Sequence, residues 1–169
     1  MPNWCENDLY VLGAKEDLVR FKEAVKGRDR HGEETLLNED AIIPYPEHFR
    51  KLDEAARQYE EAHPDDWANR PKDGSNQGGY EWCIENWGTK WGFCEVQLVS
   101  ESDAELQYTF NTAWSPPSPL IKKLGEMFPT LEFDLRYFEC GAGFNGILRI
   151  VEGKVVDDET GKYWGDRGS

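Results

Sequence analysis

"LEFDLRYF", residues 131–138, alternates apolar and charged side chains from Leu131 to Tyr137. A period of two is the pleat of a β-strand, so Leu131, Phe133, Leu135 and Tyr137 share one face while Glu132, Asp134 and Arg136 share the other. Such a strand belongs to a sheet with one face packed and the other turned to water.

The neighbours of this stretch set the topology. Before it, "SPPSPLIKKLGEMF" (115–128) reads as a helix, with Ser115 as the N-cap candidate, prolines in the first turn, and Leu120, Ile121, Leu124 and Phe128 as a buried stripe. Earlier still, "FCEVQLV" (93–99) and "ELQYTFNT" (105–112) alternate around the turn "SESDA", which predicts an antiparallel hairpin. After it, the loop "ECGAG" leads into a further strand, "FNGILRIVEG" (144–153), and "KVVDDETGKYW" (154–164) closes the sheet with a small hairpin. The strand, helix, strand crossover within about 93–151 is the mark of ferredoxin-like topology.

Toward the N-terminus, "NDLYVLG" predicts a first strand from about Trp4 to Leu12. "AKEDLVRFKEAVKG" follows as an amphipathic helix with Leu18, Phe21 and Val25 on one side and Gly27 at its stop. Residues 28–40 read as a charged loop, and "AIIPYP" (41–46) as an edge strand or extended entry. "EHFRKLDEAARQYEEAH" (47–63) is a helix with Phe49, Leu52, Ala56 and Tyr59 on one face, ended by Pro64. The composition of "NRPKDGSNQGG" (69–79) predicts a loop. Tyr80, Cys83, Ile84 and Trp87 then repeat at helical spacing until Gly88.

The expected fold is therefore α+β: an antiparallel sheet with helices packed mainly on one face, ferredoxin-like in its split β-α-β. Residues 1–169 are expected to form one such domain, with a helical insertion at about 47–91 and a C-terminal hairpin tail at about 154–169.

Composition narrows the function. With 33 acidic against 19 basic residues the formal charge is -14, which disfavours nucleic acid and anionic lipid as partners, because both are captured by Lys and Arg. No apolar run approaches the length of a membrane span, and "MPNWCENDLY" lacks the pattern of a signal peptide, so a cytoplasmic location is expected. Cys5, Cys83, Cys94 and Cys140 lie far apart, with no CxxC pair and no His at ligand spacing, so reduced thiols and no metal or cofactor are expected.

Three stretches are candidates for a site. "ENWGTKWGF" (85–93) surrounds Lys90, the only basic residue between Lys72 and Lys122, with Trp87 and Trp91. Its functional reading is an aromatic-walled pocket in which Thr89 offers a hydroxyl and Lys90 a cation to an anionic ligand or a partner carboxylate. Its bland reading makes Trp87 a core residue, Gly88 a helix stop and Lys90 a solvated turn residue. In "FNTAWSPPSP" (110–119), Trp114 stands before a helix whose free amides can meet an anion, or else packs the helix entrance. In "YFECGAGFNG" (137–146), Glu139 is a base, an ion-pair partner of Lys90, or an ordinary edge carboxylate.

Together "MPNWCENDL", "NWGTKW", "FNTAWSPP" and "ECGAGFNG" resemble the YubB-like family of phage and plasmid proteins, and the likeness runs from Met1 to about Gly153. The resemblance implies a ferredoxin-like domain, a bacterial or mobile-element origin and a cytoplasmic location, but no reaction, the family being one of unknown function. Its phrases fall here on Asn3, Trp4, Asn7, Asn86, Trp87, Gly88, Thr89, Lys90, Trp91, Thr112, Ala113, Trp114, Pro116, Pro117, Glu139 and Gly146; residues 28–40 and 47–80 match none.

The leading expectation is a non-catalytic binding module with a cleft lined by Trp4, Trp87, Trp91 and Trp114, with Asn86 and Thr89 in the polar turn and Lys90 paired to Glu139. Its ligand is a protein segment or a small molecule. A DNA mimic inhibiting a host nucleic-acid enzyme is one rival, and a small acid–base enzyme using Glu139, Lys90 or Cys140 is the other. The mimic needs a regular stripe of carboxylates. The enzyme needs two of its three groups within hydrogen-bond reach.

Overall fold

A computed structural model describes residues 3–29, 31–73 and 79–167. Met1, Pro2, Arg30, residues 74–78 of the loop expected at 69–79, and the last two residues of the tail lie outside the described residues.

Six strands form one antiparallel sheet in the order β4-β5-β1-β6-β7-β8, made of β1 (Trp4–Leu12), β4 (Cys94–Glu101), β5 (Glu105–Ala113), β6 (Glu132–Glu139), β7 (Phe144–Val151) and β8 (Lys154–Lys162). β1 is central and pairs antiparallel with both β5 and β6, Leu9 lying opposite Tyr108 on one side and Leu135 on the other. β5 and β6 are therefore parallel to each other across β1, and α4 (Ser118–Met127) links them. This is the split β-α-β arrangement, and the fold is ferredoxin-like α+β.

The period of two in 131–138 has the consequence expected of it. Phe133, Leu135 and Tyr137 are buried, as are Leu9 and Val11 of β1 and Leu106, Tyr108 and Phe110 of β5. Against this face pack Leu18 and Phe21 of α1 (Lys15–Ala24) and Leu120, Ile121 and Leu124 of α4. Phe21 makes edge contacts with Tyr108 and Phe128, so the two helices share one aromatic centre. The opposite face is polar: Arg136 bonds Asp134 and lies 5.2 Å from the ring of Tyr10, whose hydroxyl accepts a bond from Gln107.

Three local expectations are corrected. Of the two readings of "AIIPYP" the edge strand fails and the extended entry stands; residues Glu39–Ala41 form a short 3-10 turn capped by Asn38, after which Pro44 and Pro46, the latter extended, lead directly into α2 (Glu47–Ala62). The turn forms because the Asn38 carboxamide accepts from Ala41 N–H, a bond an extended strand cannot make. Within the charged 28–40 loop a two-residue hairpin appears instead, β2 (Gly27–Arg28) against β3 (Glu34–Thr35), closed by Asp29 accepting from the amides of His31 and Glu33. Ser115 does not cap α4, whose N-cap position is Pro117. Its hydroxyl donates instead to Gly88 O, at the end of the preceding helix.

α3 (Tyr80–Trp87) ends as the sequence indicates, with Gly88 in the left-handed region at φ 81°. No helix among the described residues is long and apolar enough to cross a membrane.

Candidate functional site

The four phrases singled out in the sequence meet at one end of the sheet. Asn7, on the inward face of β1, donates to Thr112 Oγ1 of β5 at 2.9 Å. Thr112 in turn donates to Ser115 O at 2.8 Å, and Ser115 donates to Gly88 O at 2.6 Å. Thr89 is completely buried and donates to Ala113 O at 3.0 Å. These bonds tie the turn after α3 to the ends of β1 and β5. They satisfy carbonyls that the helix end and strand end leave open. Thr89, Ser115 and Thr112 thus hold the turn in place, and the Asn86 side-chain amide donates back to Trp82 O within the last turn of α3.

Held in this way, the turn forms one wall of a cavity of about 310 Å³. Trp87 and Tyr80 come from one face of α3, Lys90 and Trp91 from the turn, and Tyr45 from the segment before α2. α2 supplies the charged stripe Arg50, Asp53, Arg57 and Glu60, which lies beside its buried Ala56. Trp87 is fixed by its indole N–H donating to Ile43 O at 2.8 Å, and its ring lies 5.5 Å from that of Tyr45.

Lys90 is only half-buried, and its ammonium stands 4.8 Å from the centre of the Tyr80 ring and 5.5 Å from that of Trp91. Both distances are within cation–π range. Among the described residues no carboxylate lies within 4.0 Å of it. The expected pair with Glu139 is therefore not formed. Glu139 is buried at the end of β6, where its carboxylate accepts from Ala142 N–H and is packed so closely with Asn3 against Gly141 that a Cβ there would strike both. A buried carboxylate needs donors, and the loop amide of Ala142 supplies one.

The remaining tryptophans divide. Trp4 sits 6.3 Å from Trp91, edge to face, and backs the cavity wall. Trp114 is 49% exposed, has φ of 74° and does not line the cavity. Of the eight residues expected to form the site, Trp87, Lys90 and Trp91 line the cavity; Trp4 buttresses it; Asn86, Thr89 and Glu139 serve the frame; and Trp114 lies outside.

Sequence reasoning passed over the acids and Tyr45. Glu39 accepts from Phe93 N–H at 3.2 Å and is pushed above the usual carboxylate range by burial. Asp53 is likewise raised, mainly by burial, and accepts from the Tyr45 hydroxyl at 2.9 Å. Tyr45 is itself pushed up by burial and by the nearby Asp53. Arg50 pairs with Asp40 and lies over the Tyr45 ring at 5.6 Å. For Arg50 and Asp53 the signal was the charged spacing 50, 53, 57 and 60 on α2, which reads equally well as a solvated helix face; Glu39, Asp40 and Tyr45 lie outside that helix and carry no such pattern.

Burial pushes the Cys83 thiol up to about 12, which leaves it un-ionised and a poor nucleophile at neutral pH. No hydrogen bond or ion pair among the described residues joins Lys90, Glu139 and Cys140, so the acid–base expectation finds no working pair. Nor do the acids form an uninterrupted stripe: Arg57 pairs with Glu54 and Glu61, Lys122 with Asp158, and Arg136 with Asp134. No group of three or more His, Cys, Asp or Glu among the described residues is placed to hold a metal ion.

Comparison with known proteins agrees on the fold. Residues 93–165, from the start of β4 to just beyond β8, match the family model described as "Ferredoxin-like domain in Api92-like protein". The chain is similar in structure to the protein api92 from Yersinia pseudotuberculosis, with a TM-score of 0.60 and 13% identity over 99% of this chain and 100% of that one. At that identity the likeness is one of fold. A comparison with curated proteins finds no match.

Proposed function

We propose that this chain is a non-catalytic binding module, and that its ligand enters the cavity between α2, α3 and the turn at 88–92. The supporting observation is Lys90. Its ammonium is held above two aromatic rings at the cavity wall, with no carboxylate of the described residues in salt-bridge range. A cation so placed selects an anionic group on a flat or apolar carrier, either a small aromatic carboxylate or an acidic residue flanked by apolar side chains in a protein segment. The raised carboxyls of Glu39 and Asp53 add groups that donate hydrogen bonds when protonated.

The resemblance of the four phrases to YubB-like proteins supports a phage or plasmid origin. Four cysteines with no disulfide between them among the described residues support residence in the reducing cytoplasm.

The test is a titration of 15N-labelled protein with an indole carboxylate, reading the tryptophan side-chain resonances. The indole N–H signals of Trp87 and Trp91 are expected to move while those of Trp114 and Trp164 stay fixed. Movement confined to Trp114 and Trp164, or no movement with any aromatic carboxylate, would overturn the proposal.

A further inference from the structure

The polar outer face of the sheet carries a second feature, independent of the cavity. Beyond β8 the chain turns back over this face and places Arg167 on β1 and β6. Its guanidinium donates twice to Asp8, at 2.6 and 3.0 Å, reaches Glu6 at 3.3 Å, and lies 4.3 Å from the centre of the Phe138 ring. A two-pronged carboxylate contact over an aromatic face is how proteins recognise arginine rather than lysine.

The two sides of this contact are unequally committed. The Asp8 side chain is 11% exposed, set in the middle of the sheet by pairing on both sides of β1. The Arg167 side chain is 42% exposed, and Trp164, in the same segment, is 76% exposed. Among the described residues the segment is also held by the Trp164 backbone exchanging two 3.1 Å bonds with Asn145 and by Tyr163 N–H on Gly143 O, while the Tyr163 hydroxyl bonds within the segment to Arg167 O. The receptor is built into the sheet and the occupant rests on it. If the segment lifts, a desolvated carboxylate loses its cation, and the face is left matched to another guanidinium.

We propose that Asp8, Glu6 and Phe138 form a receptor for an arginine side chain of a partner protein segment, which Arg167 occupies in cis and thereby closes. The chain's charge of -14 draws basic segments toward it. An incoming arginine binds only the fraction of molecules whose tail is undocked, so its apparent affinity falls by that fraction.

The experiment uses the full chain and the capped peptide acetyl-Gly-Arg-Gly-amide, followed by NMR titration of the Asp8 and Phe138 signals. Arg167→Ala is expected to bind the peptide at least about tenfold more tightly than the wild-type chain. The lysine counterpart is expected to bind more weakly, and adding Asp8→Asn to abolish binding. Equal affinity in the two chains, no binding to Arg167→Ala, or equal binding of the lysine peptide overturns the proposal. A second measurement needs no variant: excess arginine peptide is expected to move the Arg167 Nε–H resonance of the wild-type chain toward that of a solvated arginine. A resonance unmoved at the highest soluble peptide concentration overturns it as well.

Discussion

Replacing Gly88 separates two causes of one glycine. Its φ of 81° closes α3, its own amide bonding back to Cys83 O and Ile84 O. An L-residue with a Cβ pays roughly 1–2 kcal/mol to hold that conformation. The added Cβ would also stand 2.5 Å from Pro119 Cδ and 3.1 Å from Pro116 O, and the proline ring at the start of α4 has little freedom to retreat. Overpacking of this kind costs about 1–3 kcal/mol. Gly88→Ala should therefore lose about 2–5 kcal/mol, which for a chain of this size is a fall in Tm of roughly 4–20 °C. Asn tolerates the left-handed region but carries the same Cβ, so Gly88→Asn should still lose about 1–3 kcal/mol. Urea unfolding followed by tryptophan fluorescence measures both. An Asn variant within about 0.5 kcal/mol of wild type would show that the turn does not abut α4 as described.

Thr89→Val keeps the shape and removes the donor to buried Ala113 O, so it should cost about 1–3 kcal/mol in the same assay, whereas an unchanged midpoint would count against the polar frame. Glu39→Gln should alter the pH dependence of stability. The Glu39 carboxyl is raised above its ordinary 4.5, so the folded state holds its proton more tightly than the unfolded one, and that contribution is full below about 4.5 and lost as pH climbs through the raised value. The Gln variant should therefore gain on wild type as pH rises across that window, and parallel curves would contradict the burial of Glu39. Trp114 holds φ of 74° while half exposed, so Trp114→Gly should be about 1 kcal/mol more stable than Trp114→Ala by thermal unfolding, and the reverse order would deny the strain.

The sheet was legible because its signal is local. In 131–137 each residue states its face by its own polarity, and the hairpin at 93–112 and the stop at Gly88 are equally self-contained. What escaped depends on partners distant in sequence. "AIIPYP" has the composition of a strand, but no neighbouring strand is offered to it, and Asn38 supplies a tighter turn. Ser115 looks like a cap until Gly88 O, 27 residues away, claims its hydroxyl. The four phrases do converge, yet as a hydrogen-bonded frame rather than around a charged pair. Glu139 was matched to Lys90 on charge alone, and charge carries no direction. Arg167 reaches Asp8 across 159 residues, with nothing in either neighbourhood to announce it.

The binding reading turns on whether the Lys90 charge is used. The direct measurement is the affinity of an indole carboxylate for the wild-type chain and for Lys90→Met, which keeps an apolar stem and removes the ammonium. A charged hydrogen bond at a half-buried site is worth about 1.4 kcal/mol or more, so affinity should fall about tenfold or further. Equal affinities would mean that the cation is an ordinary surface lysine and the cavity is not the site.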